Sequence, residues 1–245
     1  MTWSIIAKDP DTGFFGVAIA SRFFSVGMLC PWADAGVGAV CTQALMNPLL
    51  GPRSLALLRE GLQAGDVPEM LLAPDPVRGQ RQLHLMDAEG RTAAHTGEDC
   101  VDWFGHRNET GLSVAGNMLA GPQVVERTFE TIREAADLPI VERLLTAMEA
   151  GEAAGGDKRG KQSAALLIQG PEAYPRLNIR ADDHEDPLAE LRRLYAVAQE
   201  RFIPFSAAFP TAERPYGLDD RAVLEKIIER DAGKPLQRRV EIPEG

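Results

Sequence analysis

The sequence is short of cysteine, of basic charge and of long apolar runs, and each shortage excludes something. Its three cysteines, Cys30, Cys41 and Cys100, are widely spaced and form no C-x-x-C pair. An odd number so arranged argues against a disulfide framework or structural zinc and for buried thiols. Lysine and arginine total 26 against 36 acidic residues, a net charge of −10. A surface of that sign repels polyanions, which removes nucleic acid as a partner, and the one basic cluster, Lys158, Arg159 and Lys161, is too small to reverse this. No apolar run has the length of a membrane helix, so no membrane partner is expected. Lys8 and Asp9 follow the first few apolar residues, too early for a secretory signal, and the expectation is a cytoplasmic protein.

What is present fits a globular chain. With 245 residues, 44% of them apolar and 25% charged, the composition suits one large domain, expected over 1–232, with a fraying charged and proline-rich tail over 233–245. Trp3 to Ala7 reads as a strand, and Asp9-Pro10-Asp11-Thr12-Gly13 as a turn. A second strand fits Phe14 to Ser21, where Gly16, Ala18 and Ala20 give one face small enough for another layer to approach closely. A third fits Gly36 to Gln43, after which Asn47-Pro48 and Gly51-Pro52 break the chain. Helices are predicted from Ser54 to Leu62 and, capped by Asp66, through Leu72.

Gln82 to Asp87 and Thr92 to His95 read as a hairpin. If Gly90 is a bulge residue, Asp87 pairs with Arg91, His84 lies opposite Ala94, and His95 faces the other side. A Gly-rich polar loop, a strand at Leu112 to Gly116, and helices at Pro122 to Glu134 and Pro139 to Glu149 follow. Strands at Ser163 to Gln169 and Arg176 to Arg180, then helices at Pro187 to Phe202 and Asp219 to Arg230, complete the order. Runs of strands and runs of helices do not alternate as βαβ units; they fit an α+β fold of two antiparallel sheets face to face, with helices outside.

Chemistry begins at Thr2. A threonine is small enough for Met1 to be removed, and the exposed α-amine, with an ordinary pKa of about 7.7–8.0, can act as general base for the hydroxyl of its own residue. Ser4 shares the face of Thr2 in a strand and is a second candidate nucleophile. The run Gly16 to Ser21, Arg22 and then Phe23 to Gly27 resembles the second strand of proteasome-type subunits, which ends in Ser-Arg and a short loop. That resemblance implies a position for Ser21 and Arg22 at the border of the nucleophile; a surface arginine is the plain alternative.

Longer motifs carry a second resemblance. Thr2 to Ala7, Pro31 to Val40, Thr42-Gln43-Ala44, Ala115 to Gly121, Gly151 to Ala165, Asp182-Asp183-His184 and Pro187 to Leu191 resemble the family called domain of unknown function ten twenty-eight, as far as about residue 200. The family is grouped with N-terminal nucleophile hydrolases, which implies a four-layer αββα sandwich. By that resemblance Asn117 is the candidate oxyanion donor together with the Gly116 backbone N–H, though Asn117 also suits a turn or helix cap. Asp157 and Arg159, in a Gly-rich loop, are candidates to orient a polar ligand, and Gln43 and Gln162 to bind an amide; a solvated loop and strand caps are the alternatives.

The chain departs from the proteasome-type pattern in one respect, since no lysine stands between Lys8 and Lys158. No metal is expected: His84, His95 and His106 are spread over a hairpin, and Asp182-Asp183-His184 also suits the approach to a helix N-terminus. No cofactor is expected either. The leading reading is an amidohydrolase acting on a small amide or isopeptide-like bond, with Thr2 as nucleophile and Arg22 tuning the amine or holding a substrate carboxylate. The rival is a protein that keeps the fold but only binds a small molecule or assembles, a homodimer being one form; Phe23, Phe24 and Trp32 fit either an interface or the core. Thiol chemistry at Cys30 or Cys41 is a third, requiring a low thiol pKa.

Overall fold

A computed structural model describes residues 2–237 and 241–242. The chain divides into two compact units, Met1–Leu191 and Arg192–Gly245. The first contains ten strands: β1 (Thr2–Lys8), β2 (Phe15–Ser21), β3 (Pro31–Asp34), β4 (Gly38–Ala44), β5 (Arg81–Asp87), β6 (Thr92–Thr96), β7 (Gly105–Glu109), β8 (Leu112–Asn117), β9 (Ser163–Gln169) and β10 (Pro175–Ala181). Its helices are α1 (Leu50–Arg59), α2 (Val67–Leu72), α3 (Pro122–Glu134) and α4 (Ile140–Ala153), and the division between units falls within α5 (Pro187–Val197).

The strands form a six-stranded sheet in the order β10-β9-β2-β1-β8-β7 and a four-stranded sheet in the order β3-β4-β5-β6, antiparallel throughout. The sheets face each other through β1, β2, β8 and β9 on one side and β3, β4 and β5 on the other. Helices α3 and α4 cover the outer face of the large sheet, and α1 and α2 that of the small one. This is the αββα sandwich implied by element order and family resemblance alike.

Alternation along each strand builds the layers, because successive side chains point to opposite faces. In β2, Phe15, Val17 and Ile19 join Ile6, Ala39, Cys41 and Met86 in the core between the sheets. Gly16, on the opposite face, lies beneath α4: a Cβ there would come within 2.5 Å of Leu144 Cδ1, so the small face admits the helix layer as its pattern predicts. In β5, Leu83 and Leu85 pack with Val40, Leu50 and Leu55 under α1 and α2. That leaves Gln82 and His84 on the same side as Met86, facing the other sheet.

Several expectations need correction. Gly51 and Pro52 open α1 rather than ending a segment; proline is tolerated in a first turn, where its missing N–H would have had no partner. Gly51 is there because Trp32 lies against it, a Cβ meeting the indole at 2.3 Å. Trp32 is thus packed inward, with Nε1 donating to Leu29 O at 2.9 Å, while Phe23 and Phe24 are 59% and 63% exposed. Asp66 precedes α2 without a side-chain capping bond. β7 arises where a loop was expected, and β3 in a stretch to which the sequence assigned no element. The β5–β6 hairpin has the anticipated register, with His84 opposite Ala94 and Asp87 N bonded to Arg91 O. The last two strands, β9 and β10, pair with each other.

In the second unit, α5 is followed by a five-residue π-helical segment, Ala198–Phe202, and short helical turns through Ala208. A final helix, α6 (Arg221–Asp231), is capped by Asp220, which accepts from Ala222 N and Val223 N. Ala207 and Ile227 form its small core. Of the tail expected to fray, 238–240 and 243–245 lie outside the described residues. Among the described residues no helix is long and apolar enough to cross a membrane.

Candidate functional site

The site is set by the register of the central strands. β1 lies between β2 and β8, with Thr2 directly opposite Asn117 and Trp3 opposite both Ala20 and Gly116. Thr2 Oγ1 donates to Ser21 Oγ at 3.2 Å. Thr2 is therefore held between Ser21 at the end of β2 and Asn117 at the end of β8. It is 6% exposed, Ser21 2% and Asn117 2%. The Asn117 amide donates to Gln82 Oε1 at 3.0 Å and makes a long contact of 3.5 Å to Thr2 O.

Ser4, two residues further along the same face, is wholly buried and enters a chain of side chains that crosses between the sheets. Its Oγ donates to Gln43 Oε1 at 2.8 Å and lies 2.7 Å from His84 Nε2. His84 Nδ1 lies 2.8 Å from Ser113 Oγ, which is 2.7 Å from Asn108 Oδ1. Gln43 Nε2 donates to Gln82 Oε1 at 2.7 Å, and Gln82 Nε2 reaches Thr96 Oγ1, Gly105 O and Gly116 O at 2.9–3.1 Å. Gln82 is the hub: it ties Gln43 to Asn117, and through Asn117 to Thr2.

Counting protons assigns the imidazole. With a proton on Nε2, His84 donates to Ser4, Ser4 donates to Gln43, and Ser113 donates to Nδ1. Only Asn108 Oδ1 then lacks its donor, and half-buried Asn108 can take one from water. The other tautomer directs the Ser4 proton to His84 and strips the fully buried Gln43 Oε1 of its short donor, which costs more. Burial, with a smaller contribution from His106, holds the His84 pKa down at about 3, so the ring is neutral at physiological pH.

The loop between α4 and β9 reaches the other side of Thr2's neighbourhood. Asp157, 5% exposed, accepts from Arg22 N and Arg159 N at 2.8 Å each, and its segment bridges to Leu119. The carboxylate thereby staples the end of β2 to the loop. The Arg22 side chain turns outward, its guanidinium donating to Arg159 O at 2.9 Å, and the Arg159 guanidinium lies 3.2 Å from Asp157. Gln162 is separate from this group and donates to Asp183 Oδ1 at 3.2 Å. Gly116 lies in β8 with its carbonyl on Gln82. The structure thus gathers Thr2, Ser4, Ser21, Gln43, Gly116 and Asn117 at one end of the sandwich, with Asp157, Arg22 and Arg159 in the adjoining loop.

Sequence reasoning missed Gln82 and Ser113, and weighed His84 only as a metal ligand. The signal was polar residues alternating with Leu83 and Leu85, ordinarily read as a solvent face; here a helix layer covers the leucines and the polar side points inward. Thiol chemistry is corrected. Cys30, Cys41 and Cys100 are all buried; burial pushes the Cys30 thiol up to about 12 and the Cys41 thiol well above its usual value, so neither supplies thiolate at neutral pH. Asp182 and Asp183 engage Ser25 and Gln162; among the described residues no group of three His, Cys, Asp or Glu is placed to hold a metal ion.

Two stacked antiparallel sheets between helix layers, with Thr2 opening a central strand, define the class: an αββα sandwich. The model of a family of unknown function, DUF1028, matches residues 2–191, and the chain belongs to that family. A solved protein of Silicibacter pomeroyi, also assigned to DUF1028, is 32% identical over 90% of this chain and 96% of its own, with a TM-score of 0.83. More distant are Anbu, the ancestral beta-subunit, of Yersinia bercovieri (13% identity, 86% and 99% of the two chains, TM-score 0.37) and a Gly-1 mutant of Anbu from Hyphomicrobium (13%, 81% and 94%, 0.38). No functionally curated protein matches the sequence.

Proposed function

We propose that the protein is an N-terminal nucleophile amidohydrolase that cleaves a small amide or isopeptide-like bond once Met1 has been removed. The observation that carries this is the placement of Thr2 at the start of a central strand, its hydroxyl on Ser21 and Asn117 directly opposite. Thr2 Oγ1 attacks the carbonyl, the α-amine takes its proton and later delivers it to the leaving amine, and Ser21 orients the hydroxyl. Asn117 Nδ2 is the nearest side-chain donor for the developing oxyanion, and it must leave Gln82 Oε1 to serve. Ser4, wholly buried and bonded on both sides, supports Thr2 from below rather than competing as nucleophile. Arg22 and Arg159, at the loop held by Asp157, supply the positive rim for a substrate carboxylate.

A second reading has its own support. Thr2 and Asn117 are nearly inaccessible, and Asn117 is already satisfied. A protein that has kept the fold and binds a small molecule without turnover has no need of an open nucleophile. Intact mass of the native protein followed by treatment with a β-lactone separates the two. An adduct confined to Thr2 on chains lacking Met1 supports the enzyme; processed chains that take no label sink it.

A further inference from the structure

At the far end of β1 is a feature that the proposed chemistry does not use. Beyond Lys8 the β1–β2, β5–β6 and β7–β8 turns, the C-terminus of α3 and the first turn of α4 border an open cavity of about 520 Å³, lined by Lys8, Asp9, Glu89, Glu109, Arg133 and Arg143 among others. The volume is that of a small-molecule site. Six strand residues separate it from Thr2, about 20 Å at roughly 3.3 Å each.

The cavity contains a cation without adequate compensation. The Arg143 side chain is 11% exposed, and its Nε and Nη1 are sealed from solvent with no hydrogen-bond acceptor. Its one charged partner among the described residues, Asp9, stands 3.7 Å away, beyond hydrogen-bond length, and the other oxygen of Asp9 is taken by Thr12. A guanidinium so deeply placed and so loosely paired is costly. Arg143 meets the cavity only through the small part of its side chain that stays exposed, and a carboxylate there would offset the charge while Nε and Nη1 remain sealed.

The carboxylates set the rest of the ligand. Glu109 lies 3.3 Å from Arg133, and Glu89 2.7 Å from Arg91. With Asp9 they oppose Lys8, Arg133 and Arg143, three charges against three, so a dianion finds no excess of positive charge. We propose that this cavity binds a small zwitterion of the amino-acid or dipeptide class, its carboxylate on Arg143 and its ammonium toward Glu109 and Glu89.

Calorimetric titration of the full-length Thr2→Ala protein with glycylglycine tests this, because turnover is then absent. Acetate, ethylammonium and inorganic phosphate are titrated in parallel. Saturable binding of the dipeptide is expected, at least about tenfold tighter than either half-ligand or phosphate, and Arg143→Met and Glu109→Gln should each weaken it at least about tenfold. Should Arg143→Met fail to fold, Glu109→Gln and Lys8→Met localise the site, since both residues sit on the cavity wall. No saturation by about 10 mM, acetate or phosphate binding as well as the dipeptide, or binding unaffected in the folded variants would each overturn the proposal.

Discussion

On the face of β1 toward the other sheet the Thr2 end pairs its buried polar groups and the Lys8 end does not; on the helix-covered face Trp3 Nε1 is buried without a partner. Around Thr2 and Ser4, hydroxyls, amides and one imidazole are wholly buried, yet each finds a partner at 2.7–3.2 Å. Around Lys8, a guanidinium is buried beside an open cavity with one loose carboxylate. A satisfied network is a rigid frame that resists rearranging, and the one exchange the proposed chemistry asks of it is Asn117 leaving Gln82. An unsatisfied charge is an energetic deficit that a ligand can make good. The first end therefore holds chemistry in place, and the second awaits an occupant.

The largest test of this contrast is at the nucleophile. Thr2→Ala keeps a small residue compatible with Met1 removal, and so keeps the α-amine while losing the hydroxyl. β-Lactone labelling should fall at least about 10³-fold, read by intact mass, while Thr2→Ser should retain it. Equal labelling of Thr2→Ala would move the reaction away from this end of β1.

Next comes the frame itself. His84→Ala removes the ring that joins Ser4 to Ser113, leaving a cavity and two buried hydroxyls short of partners. A loss of about 3 kcal/mol is expected by urea denaturation. A loss below about 1 kcal/mol would mean that water fills the gap and that the network is less exclusive than its geometry implies.

How much of this was legible in the sequence depends on which layer a residue serves. β1, β2, β8, β9 and α3 could be read because their apolar spacing or small-residue face matches what covers them. β7 could not: Gly105-His106-Arg107-Asn108-Glu109 is an edge strand whose packing is done by Arg107 over the Phe129 ring at 4.1 Å, an aromatic contact in place of aliphatic alternation. β3 is short, half-buried and begins at a proline, which an edge position allows. Thr2, Ser4, Gln43 and Asn117 were named from the sequence, but not the hub that joins them. Gln82 and His84 sit on a strand with polar and apolar faces, and the sequence does not say which face a second sheet will cover.

The neutral imidazole gives the frame a pH signature. His84 has an ordinary pKa of 6.5 when unfolded and about 3 when folded, so below pH 6.5 the unfolded chain binds the extra proton. Its contribution to stability is complete above pH 6.5 and is lost as pH falls toward 3, at about 1.4 kcal/mol per pH unit. His84→Gln, compared with wild type by urea denaturation between pH 4 and 7, should flatten that slope by up to this amount per unit. An unchanged slope would mean that the buried ring exchanges its proton within the folded state.

The smallest expected effect is the sharpest discriminator between the two ends. Arg143→Met removes a buried charge whose Nε and Nη1 have no acceptor, and replaces it with a flexible apolar side chain of similar reach. Where truncating a satisfied group leaves its partners stranded, truncating this one strands only Asp9, which is still held by Thr12. Stability in the absence of ligand should therefore change by less than about 1 kcal/mol, and an increase is an acceptable outcome. Thermal denaturation of the apo protein reads it directly. A loss of about 3 kcal/mol or more, the range for breaking a compensated buried pair, would show that Asp9 at 3.7 Å already pairs fully with Arg143. The Lys8 end would then be as complete as the Thr2 end, and no ligand would be called for.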